Sequence, residues 1–577
     1  MAKKFVSTKV EVEGREETTV VELPVRDPAP WGDETPLHVV GQRVTRMDAR
    51  EKVTGHARYT ADIQLPGMLY AAILRSPIPR GRVTQLDLRP ALELSGVRGA
   101  ISFDDVPKVK LDGVRLFDRD IHYVNQPLAA ICADTLELAE RALHAVTLEC
   151  EIAPHVATAE QALASGAPKI RSAGNSARNT PRITARGDVE AGLRDAEVTI
   201  TREYRTPVAL HTALEPHGAV AEWSGDFLTV WESTQGIFMT RADVAKAFEL
   251  PLSSVRVIKN YMGGGFGAKN GASHATYIAA ALTKKLRRPV RCILDREGEQ
   301  TDAGNRPATA QRVTLGARRD GSLTAIKLDA TITLGIGGWL AGPGRIYHEL
   351  YQCPNVHTTE AFVYTNAGAM ASFRAPGNVE GAVGLESAMD ALANELGIDP
   401  LELRRHNYAE RDQSKDRVYS QKRLDECYRR GAQRFGWGRA RTAERSDAGR
   451  LRRGVGMASL TWGAGGGPPA YATVRLNRDG SIEVLSGAQD LGTGARTVFA
   501  QIAAEVLGAR IGDVRTVLGD TERLPFASNS WGSITTASVG PAVRVAAEEA
   551  RDSLFEAAAQ LLDAEPENLE SHDGEIR

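Results

Sequence analysis

The amino-acid sequence predicts an α+β protein made of several domains. Short runs of alternating or continuous apolar residues predict strands, such as Val255–Ile258. Longer runs with helical spacing predict helices, such as one over 383–396 that ends at Gly397. Polar, glycine-rich segments join the two kinds of element. The length of 577 residues corresponds to about three or four domains.

Changes in composition divide the chain into segments. The first is polar and contains several prolines, and Ser, Gly, Asn and Pro are enriched in a second segment near residue 175. We therefore expect an N-terminal tail or arm at 1–38, a small α/β domain at 39–165, a linker at 166–184, a larger mixed α/β domain at 185–450, and the first part of another domain at 451–577.

Composition also limits the partners of the chain. The formal net charge is -2, which gives no electrostatic reason to expect nucleic acid or an anionic membrane as a partner. No apolar run is long enough to span a bilayer, and the first residues lack an apolar signal region. We therefore expect a cytoplasmic protein.

The sequence offers no clear metal-ligand cluster. None of the five cysteines forms a C-x2-C pair, so zinc or iron–sulfur ligation by this chain is not expected. His211 and His217 lie on either side of Glu215 and Pro216, which leaves a metal site open as an interpretation. Because Pro216 disrupts helical geometry, a structural role is favoured.

A glycine-rich turn, Gly263–Lys269, is the centre of the predicted site. It lies between the strand at Val255–Ile258 and a helix expected to begin at His274. Glycine has no Cβ, so the backbone N–H groups of such a turn can approach a ligand closely. Phe266 stands between glycines and is expected to face a cavity. The alternative is a tight turn that needs glycine only for steric reasons.

Two similar turns follow later in the chain, at 487–497 and 532–540, ahead of helices expected at 497–507 and 541–562. Gln235 lies on a turn after a strand, and Arg374 lies just ahead of a helix, where a surface ion pair is the simpler alternative. Together these segments predict a site for a large, phosphate-bearing ligand. The residues alone do not identify that ligand.

Read together, the segments resemble the molybdenum-cofactor-binding subunit of the xanthine dehydrogenase/aldehyde oxidase family, from about Gly41 onward. The segments 52–55 and 66–70 resemble the α/β hammerhead domain of that family, and Gly263–Lys269 resembles its GGGFGxK loop. The resemblance implies that 39–165 is the hammerhead domain, that 185–450 is the first molybdopterin-binding domain, and that 451–577 is the N-terminal part of the second.

The resemblance also implies roles for individual residues. It gives catalytic roles to Gln235, Phe266 and Arg374. Residues implied to bind the cofactor are Gln235, Gly264, Gly265, Phe266, Gly267, Arg374, Gln489, Gly492, Thr493, Gly494, Thr536, Ala537 and Ser538. In the family the pterin dithiolene holds molybdenum, so no metal ligand from the protein is expected.

Two substrate-side candidates, Asn270 and Pro376, depart from the family's purine-oxidising members. Those members carry Glu directly after the loop lysine and an aromatic residue two positions after the arginine. Purine is therefore disfavoured as a substrate. Ala371 stands where the carbon monoxide branch has cysteine, which disfavours that branch as well.

The implied activity is oxidation of an aldehyde, an N-heterocycle or a related small molecule. The implied cofactor is a molybdopterin-type molybdenum cofactor, with the cytosine dinucleotide form left open. Electrons are expected to pass to [2Fe-2S] and FAD groups on partner subunits. Two alternatives stay open: a reductase or hydratase of the same family that acts on a thioester or cyclic ketone, and a non-catalytic cofactor-binding scaffold.

The position of the catalytic base raises a further expectation. In the family a Glu in a GxGE segment acts as base, and this sequence reaches Arg577 without such a segment. We therefore expect a second molybdopterin-binding polypeptide to supply the C-terminal part. A truncated gene product is the alternative.

Overall fold

The computed structural model describes residues 4–12, 15–23, 28–32, 34–106, 109–111, 113–419, 422–442, 450, 454–463, 465 and 470–577. The expected boundary at residue 451 lies outside these residues. By backbone contacts the chain forms two compact units, the first made of 1–153, 211–304 and 463–577, the second of 154–210 and 305–462.

The helices and strands alternate along the chain. The helices are α1 (Ala49–Val53), α2 (Arg89–Leu92), α3 (Leu136–Leu143), α4 (Ala159–Leu163), α5 (Val189–Arg194), α6 (Ile237–Phe248), α7 (His274–Leu286), α8 (Arg296–Thr301), α9 (Gly344–Glu349), α10 (Asn378–Leu396), α11 (Pro400–His406), α12 (Leu424–Phe435), α13 (Trp437–Thr442), α14 (Ala495–Leu507) and α15 (Thr535–Leu562).

The strands are β1 (Lys4–Val12), β2 (Arg15–Leu23), β3 (Leu69–Arg75), β4 (Gly81–Asp87), β5 (Val97–Ile101), β6 (Lys110–Leu111), β7 (Val114–Arg115), β8 (Asp120–Ile121), β9 (Pro127–Ala133), β10 (Thr147–Ile152), β11 (Arg182–Arg186), β12 (Val198–Thr206), β13 (Gly218–Ser224), β14 (Phe227–Glu232), β15 (Val255–Ile258), β16 (Val290–Ile293), β17 (Thr309–Ala317), β18 (Leu323–Gly335), β19 (Val356–Tyr364), β20 (Arg411–Asp412), β21 (Arg417–Val418), β22 (Thr473–Leu476), β23 (Ile482–Ser486), β24 (Val514–Leu518), β25 (Ser571–His572) and β26 (Glu575–Ile576). This content confirms the predicted α+β class.

The first unit contains a mixed seven-stranded sheet with the order β15-β14-β13-β16-β3-β9-β5. Parallel pairs join β14 to β15 and β16 to β3, and the other neighbours are antiparallel. Helix α7 packs on this sheet and is buried from Ala275 to Thr283. Its small and apolar residues allow this close packing. The turns on which Gln235 and Phe266 lie therefore extend from buried strands of one sheet.

A three-stranded sheet, β22-β23-β24, lies in the C-terminal part of the same unit, with α14 and α15 in its core. The segment before α1 packs here too. The Glu505 carboxylate on α14 accepts the backbone N–H groups of His38, Val39 and Val40. Part of the expected N-terminal arm thus contacts its own chain.

The second unit is built on a five-stranded sheet with the order β11-β19-β18-β17-β12. Helix α10 covers this sheet with Leu385, Met389 and Leu392. Gly397 ends α10 in a left-handed conformation, as the sequence predicts. Asp399 caps α11 by accepting the N–H of Leu401.

Three features differ from the sequence-based expectations. Strands β1 and β2 pair antiparallel in a region where no periodicity indicated strands. Strand β11 begins inside the segment that we expected to be a linker. Helix α15 begins at Thr535 rather than 541, so Pro541 lies inside it. Pro541 is the seventh residue of the helix, beyond the first turn, and it lacks the N–H that would otherwise bond to the Ala537 carbonyl.

Among the described residues, no helix is both long and apolar enough to cross a bilayer.

Candidate functional site

The side chain of Gln235 is fixed at both of its polar atoms. It follows β14 on the turn 233–236 and is only 2% exposed. Its Oε1 accepts the N–H of Gly267 at 2.7 Å, and its Nε2 donates to the carbonyl of Ser530 at 2.9 Å. These two bonds define the orientation of the carboxamide. Since an amide NH₂ has two hydrogens, one donor is left for a further acceptor.

The backbone of Gln235 joins the same segments. Its N–H donates to the carbonyl of Lys269 at 2.7 Å, and its carbonyl accepts the N–H of Ser530 at 2.8 Å. A Cβ on Gly265 would lie 2.6 Å from the Gln235 Oε1, so only glycine fits there. The segments 233–236, 263–269 and 529–530 therefore converge on one side chain.

Phe266 lies on the surface of this arrangement. Its φ of 54° is left-handed, an unfavourable conformation for a bulky residue. Its exposed fraction is 43%. The ring is therefore not in a hydrophobic core. Strained backbone conformations persist where surrounding contacts hold them, which is common at ligand sites.

The loop after β23 differs from the expected set of free N–H donors. The Asp490 carboxylate accepts the N–H groups of Gly492, Gly494 and Arg496, at 2.8, 3.1 and 3.2 Å. Burial alone would raise the pKa of Asp490, but these three bonds outweigh it and lower the pKa. Two of the expected donors are thus already used inside the loop. Asp490 fixes the shape of the loop instead.

The same loop still offers features that a bound pterin can use. The Gln489 side chain is fully buried, and its Oε1 has no hydrogen-bond partner among the described residues. A buried acceptor without a donor is unfavourable unless a ligand supplies one. A Cβ on Gly492 would meet nothing within 4 Å, so the loop borders open space. A pterin has N–H groups that can donate to the Gln489 Oε1, and the open space beside Gly492 leaves room for it.

Thr536, Ala537 and Ser538 lie in the first turn of α15 and not in a loop. The correction follows from the helix beginning at Thr535. The first N–H groups of a helix have no partner within the helix, so Thr536 and Ala537 still offer donors to an anion, whereas the Ser538 N–H donates to the Ile534 carbonyl at 2.8 Å. The side chains of Thr536 and Ala537 are exposed.

Arg374 belongs to the second unit, and its loop is fixed there by Arg306. One Arg306 nitrogen donates to the carbonyls of Phe373 and Arg374 at 2.7 and 2.8 Å, and the other pairs with Glu380 at 2.6 Å. The Arg374 side chain is exposed. Its convergence with Gln235 and Phe266 on one cofactor stays a prediction.

The two substrate-side candidates have different surroundings. Asn270 donates from Nδ2 to the carbonyl of Gly267 at 3.0 Å, while its buried Oδ1 has no partner among the described residues. Its amide is therefore turned toward its own loop. Pro376 is half-buried beside Ala375, which has a left-handed φ of 58°.

Ser530 is a site residue that the sequence analysis missed. It accepts from the Gln235 side chain and donates its own N–H to the Gln235 carbonyl. It lies in a polar segment after β24 that matches no motif. Only the pairing across the fold shows its connection with Gln235.

The His217 side chain and backbone both contact the Glu299 carboxylate. Its Nδ1 lies 3.0 Å from both carboxylate oxygens of Glu299, and its N–H donates to the same group. The described residues contain no group of three or more His, Cys, Asp or Glu placed to hold a metal ion.

The fold and the glycine loops define a molybdopterin-binding protein. Residues 173–408 and 430–577 each match the family description "Molybdopterin cofactor-binding domain". Residues 54–154 match the "a/b hammerhead domain" of aldehyde oxidase and xanthine dehydrogenase.

The chain is 33% identical over 567 residues to the xanthine dehydrogenase molybdenum-binding subunit of Escherichia coli O157:H7, covering 92% of this chain and 74% of that one. It is 32% identical over 554 residues to the aldehyde oxidoreductase molybdenum-binding subunit of Escherichia coli K12, covering 94% and 73%. The crystal structure of quinoline 2-oxidoreductase from Pseudomonas putida 86 matches with a TM-score of 0.82 at 25% identity, covering 94% and 74%.

The chain therefore belongs to the xanthine dehydrogenase/aldehyde oxidase family, as a molybdenum-cofactor-binding subunit of an oxidoreductase. This confirms the family and the kind of subunit that the motifs predicted.

Proposed function

We propose that this chain is the molybdenum-cofactor-binding subunit of a multi-subunit hydroxylase that oxidises an aldehyde or an N-heterocycle. The observation that carries the proposal is the fixed carboxamide of Gln235, with one donor left over, beside the exposed ring of Phe266. A donor that is oriented before the reaction stabilises developing charge without reorganisation.

The protein residues have distinct tasks in this proposal. When bound, the molybdenum cofactor supplies the two-electron oxidation of a C–H bond. Gln235 would hold the cofactor through the remaining N–H of its carboxamide, and Phe266 would cover the same region with an apolar ring. Gln489 accepts a pterin N–H, and the first turn of α15 faces an anionic group. Arg374 flanks the cofactor.

The substrate class follows from the two candidate positions. Asn270 cannot accept a proton or carry a charge as a glutamate does, so a purine lacks the partner that the purine-oxidising members provide. Pro376 presents no aromatic platform. Aldehydes and N-heterocycles other than purines are therefore the substrate classes that we propose. The relatives include enzymes named for xanthine, aldehyde and quinoline at similar identity, so overall similarity does not choose among these substrates.

The partners in this proposal are an iron–sulfur subunit with [2Fe-2S] clusters and a FAD subunit, because the released electrons need acceptors. The cytosine dinucleotide form of the cofactor is part of the same proposal. Both are tested by identifying the cofactors and chains that purify with this protein.

The activity itself is tested by steady-state oxidation of aldehydes and N-heterocycles by the purified complex, with a dye as acceptor. Substitution Gln235→Leu removes both hydrogen-bonding atoms and should lower kcat about 100-fold. The control is Gln85→Leu, at an exposed position of β4, which should leave kcat unchanged. The proposal is wrong if the wild type oxidises neither class, or if the two variants behave alike.

A further inference from the structure

Glu215 and Lys269 form a buried charge pair next to Gln235. The Lys269 side chain has no exposed surface, and its Nζ lies 3.8 Å from the Glu215 carboxylate. The Nζ donates to the Glu215 backbone carbonyl at 2.6 Å and to the Ser233 Oγ at 2.7 Å. The ammonium group thus joins the glycine-rich turn to the segment before β13 and to the turn of Gln235.

The Glu215 carboxylate closes the same network from the other side. Its Oε2 accepts the Ser233 hydroxyl at 2.8 Å and the Gly263 N–H at 2.6 Å. Its Oε1 accepts the N–H of Thr60 at 3.2 Å. Gly263 and Lys269 are the first and last residues of the glycine-rich turn, so both ends of that turn are attached to one residue.

The attachment determines where the functional groups lie. Phe266 and the Gly267 N–H that binds Gln235 are in the middle of the turn. The Lys269 carbonyl accepts the Gln235 N–H, and Ser233 stands two residues before Gln235. A shift of either end of the turn would therefore change the distance between the Gln235 carboxamide and the Phe266 ring.

We propose that Glu215 and Lys269 are positioning residues, which hold the Gln235 carboxamide and the Phe266 ring in the geometry that the cofactor requires. This rests on the proposed function. From the sequence, a structural role was favoured over a metal site for the segment around Glu215 and Pro216, and the proposal makes that structural role more specific.

The energetics of the pair favour such a role over simple stabilisation. Burying two charges is so unfavourable that well-packed apolar residues are often as stable as a buried ion pair. Burial lowers the pKa of Lys269 to about 8, against the opposing effect of Glu215. The other titratable groups that act on Lys269 are Glu299, Arg296 and Glu232. Four hydrogen bonds join the pair to Thr60, Ser233 and Gly263, and a fifth joins Lys269 to the Glu215 backbone, so the pair chiefly specifies geometry.

The test compares Lys269→Met, Glu215→Gln and the double variant with wild type, each in the complete complex. Lys285→Met is the matched control, since Lys285 lies on α7 and makes an exposed ion pair with Asp105. Three sets of quantities are measured. The first is the melting temperature, and the second is the amide hydrogen exchange of the segments 233–236 and 262–269. The third is the molybdenum and pterin content together with kcat and KM.

In the single variants, the amide hydrogens of both segments should exchange about tenfold faster. These variants should also hold less molybdenum and pterin, and their kcat should fall by a larger factor than their KM changes. The double variant has no unpaired buried charge, so its melting temperature should recover while exchange and cofactor content do not. Full recovery of all three quantities in the double variant would show a merely structural pair and overturn the inference, as would unchanged exchange in the single variants.

The outcome also separates this inference from the proposed function. Exchange is measurable without any cofactor. If the wild type holds no molybdenum and no pterin, the proposed function fails, and the inference about cofactor geometry fails with it. If the wild type is loaded but the variants keep full loading and kcat, only the positioning role fails.

Discussion

Glu232 is a fully buried carboxyl group directly before the turn of Gln235. Its Oε1 accepts the Thr276 hydroxyl at 2.5 Å and the Ser273 N–H at 3.1 Å. Its Oε2 has no partner among the described residues. Burial raises the pKa of Glu232 to about 8, although the bonds to Thr276 and Ser273 oppose the shift. The group is therefore largely protonated at neutral pH in the folded protein.

This protonation makes stability depend on pH. An unfolded glutamate ionises near its ordinary pKa of 4.5, so between that pH and about 8 the folded state binds a proton that the unfolded state has released. The stabilisation from the protonated Glu232 carboxyl is complete below the unfolded pKa and is lost as pH rises toward 8. The slope is at most ~1.4 kcal/mol per pH unit.

Substitution Glu232→Gln removes this dependence while keeping an oxygen for Thr276 and Ser273. We expect its melting temperature, relative to wild type, to be higher at pH 8 than at pH 5. Glu395→Gln, at an exposed ion pair with Arg202, is the control and should show no such trend. A constant difference between Glu232→Gln and wild type across this range would contradict the protonated state.

At the scale of elements, the loop ahead of α10 depends on one side chain from elsewhere in its unit. Arg306 binds two successive carbonyls of that loop and the Glu380 carboxylate on α10. Gly377 has a left-handed φ of 80°, and a Cβ there would lie 2.3 Å from the Gly342 carbonyl. The loop is therefore closely packed and held in an unusual conformation.

Substitution Arg306→Lys should destabilise this loop because an ammonium group lacks the planar fork that reaches all three acceptors. We expect a loss of about 1–3 kcal/mol, seen as a lower melting temperature, with faster proteolysis at 372–377. Arg345→Lys is the control, since Arg345 makes a half-exposed ion pair with Glu349. Equal melting temperatures for the two variants would show that Arg306 does not hold the loop.

The sequence predicted elements well where the signal was local. Helix α7 begins at His274 as expected, and α14 begins two residues before the predicted range and ends with it. Caps, hydrophobic periodicity and turn residues act over a few positions, so one segment is enough to reveal them.

The sequence could not predict interactions between distant segments. Asp490 was expected to lie in a loop of free donors, yet its own carboxylate occupies two of them. Ser530 binds Gln235 although it lies 295 residues later in the chain. Glu215 binds Ser233 in the same turn and lies 18 residues before it. A helix was expected to begin at 541, whereas α15 begins at Thr535. Such pairings depend on the fold and leave no local pattern.

At the scale of the whole molecule, similarity to the family is continuous along the chain. The hammerhead match and the two molybdopterin-binding matches follow one another in order from residue 54 to residue 577. The chain spans about three quarters of the length of the relatives named above. Domain order and loop chemistry therefore agree on one cofactor, and we propose that the substrate depends on a few positions such as Asn270 and Pro376.

We expect this chain to bind a molybdenum cofactor through its pterin. The most direct test is to measure molybdenum by mass spectrometry and pterin by fluorescence after oxidation, on the same purified sample. We predict molybdenum and pterin in equal amounts, close to stoichiometric with the chain, and a parallel loss of both in Gln489→Leu, which removes the unpartnered buried acceptor. A protein that contains neither, or that retains both in full without Gln489 and Gln235, would contradict the account.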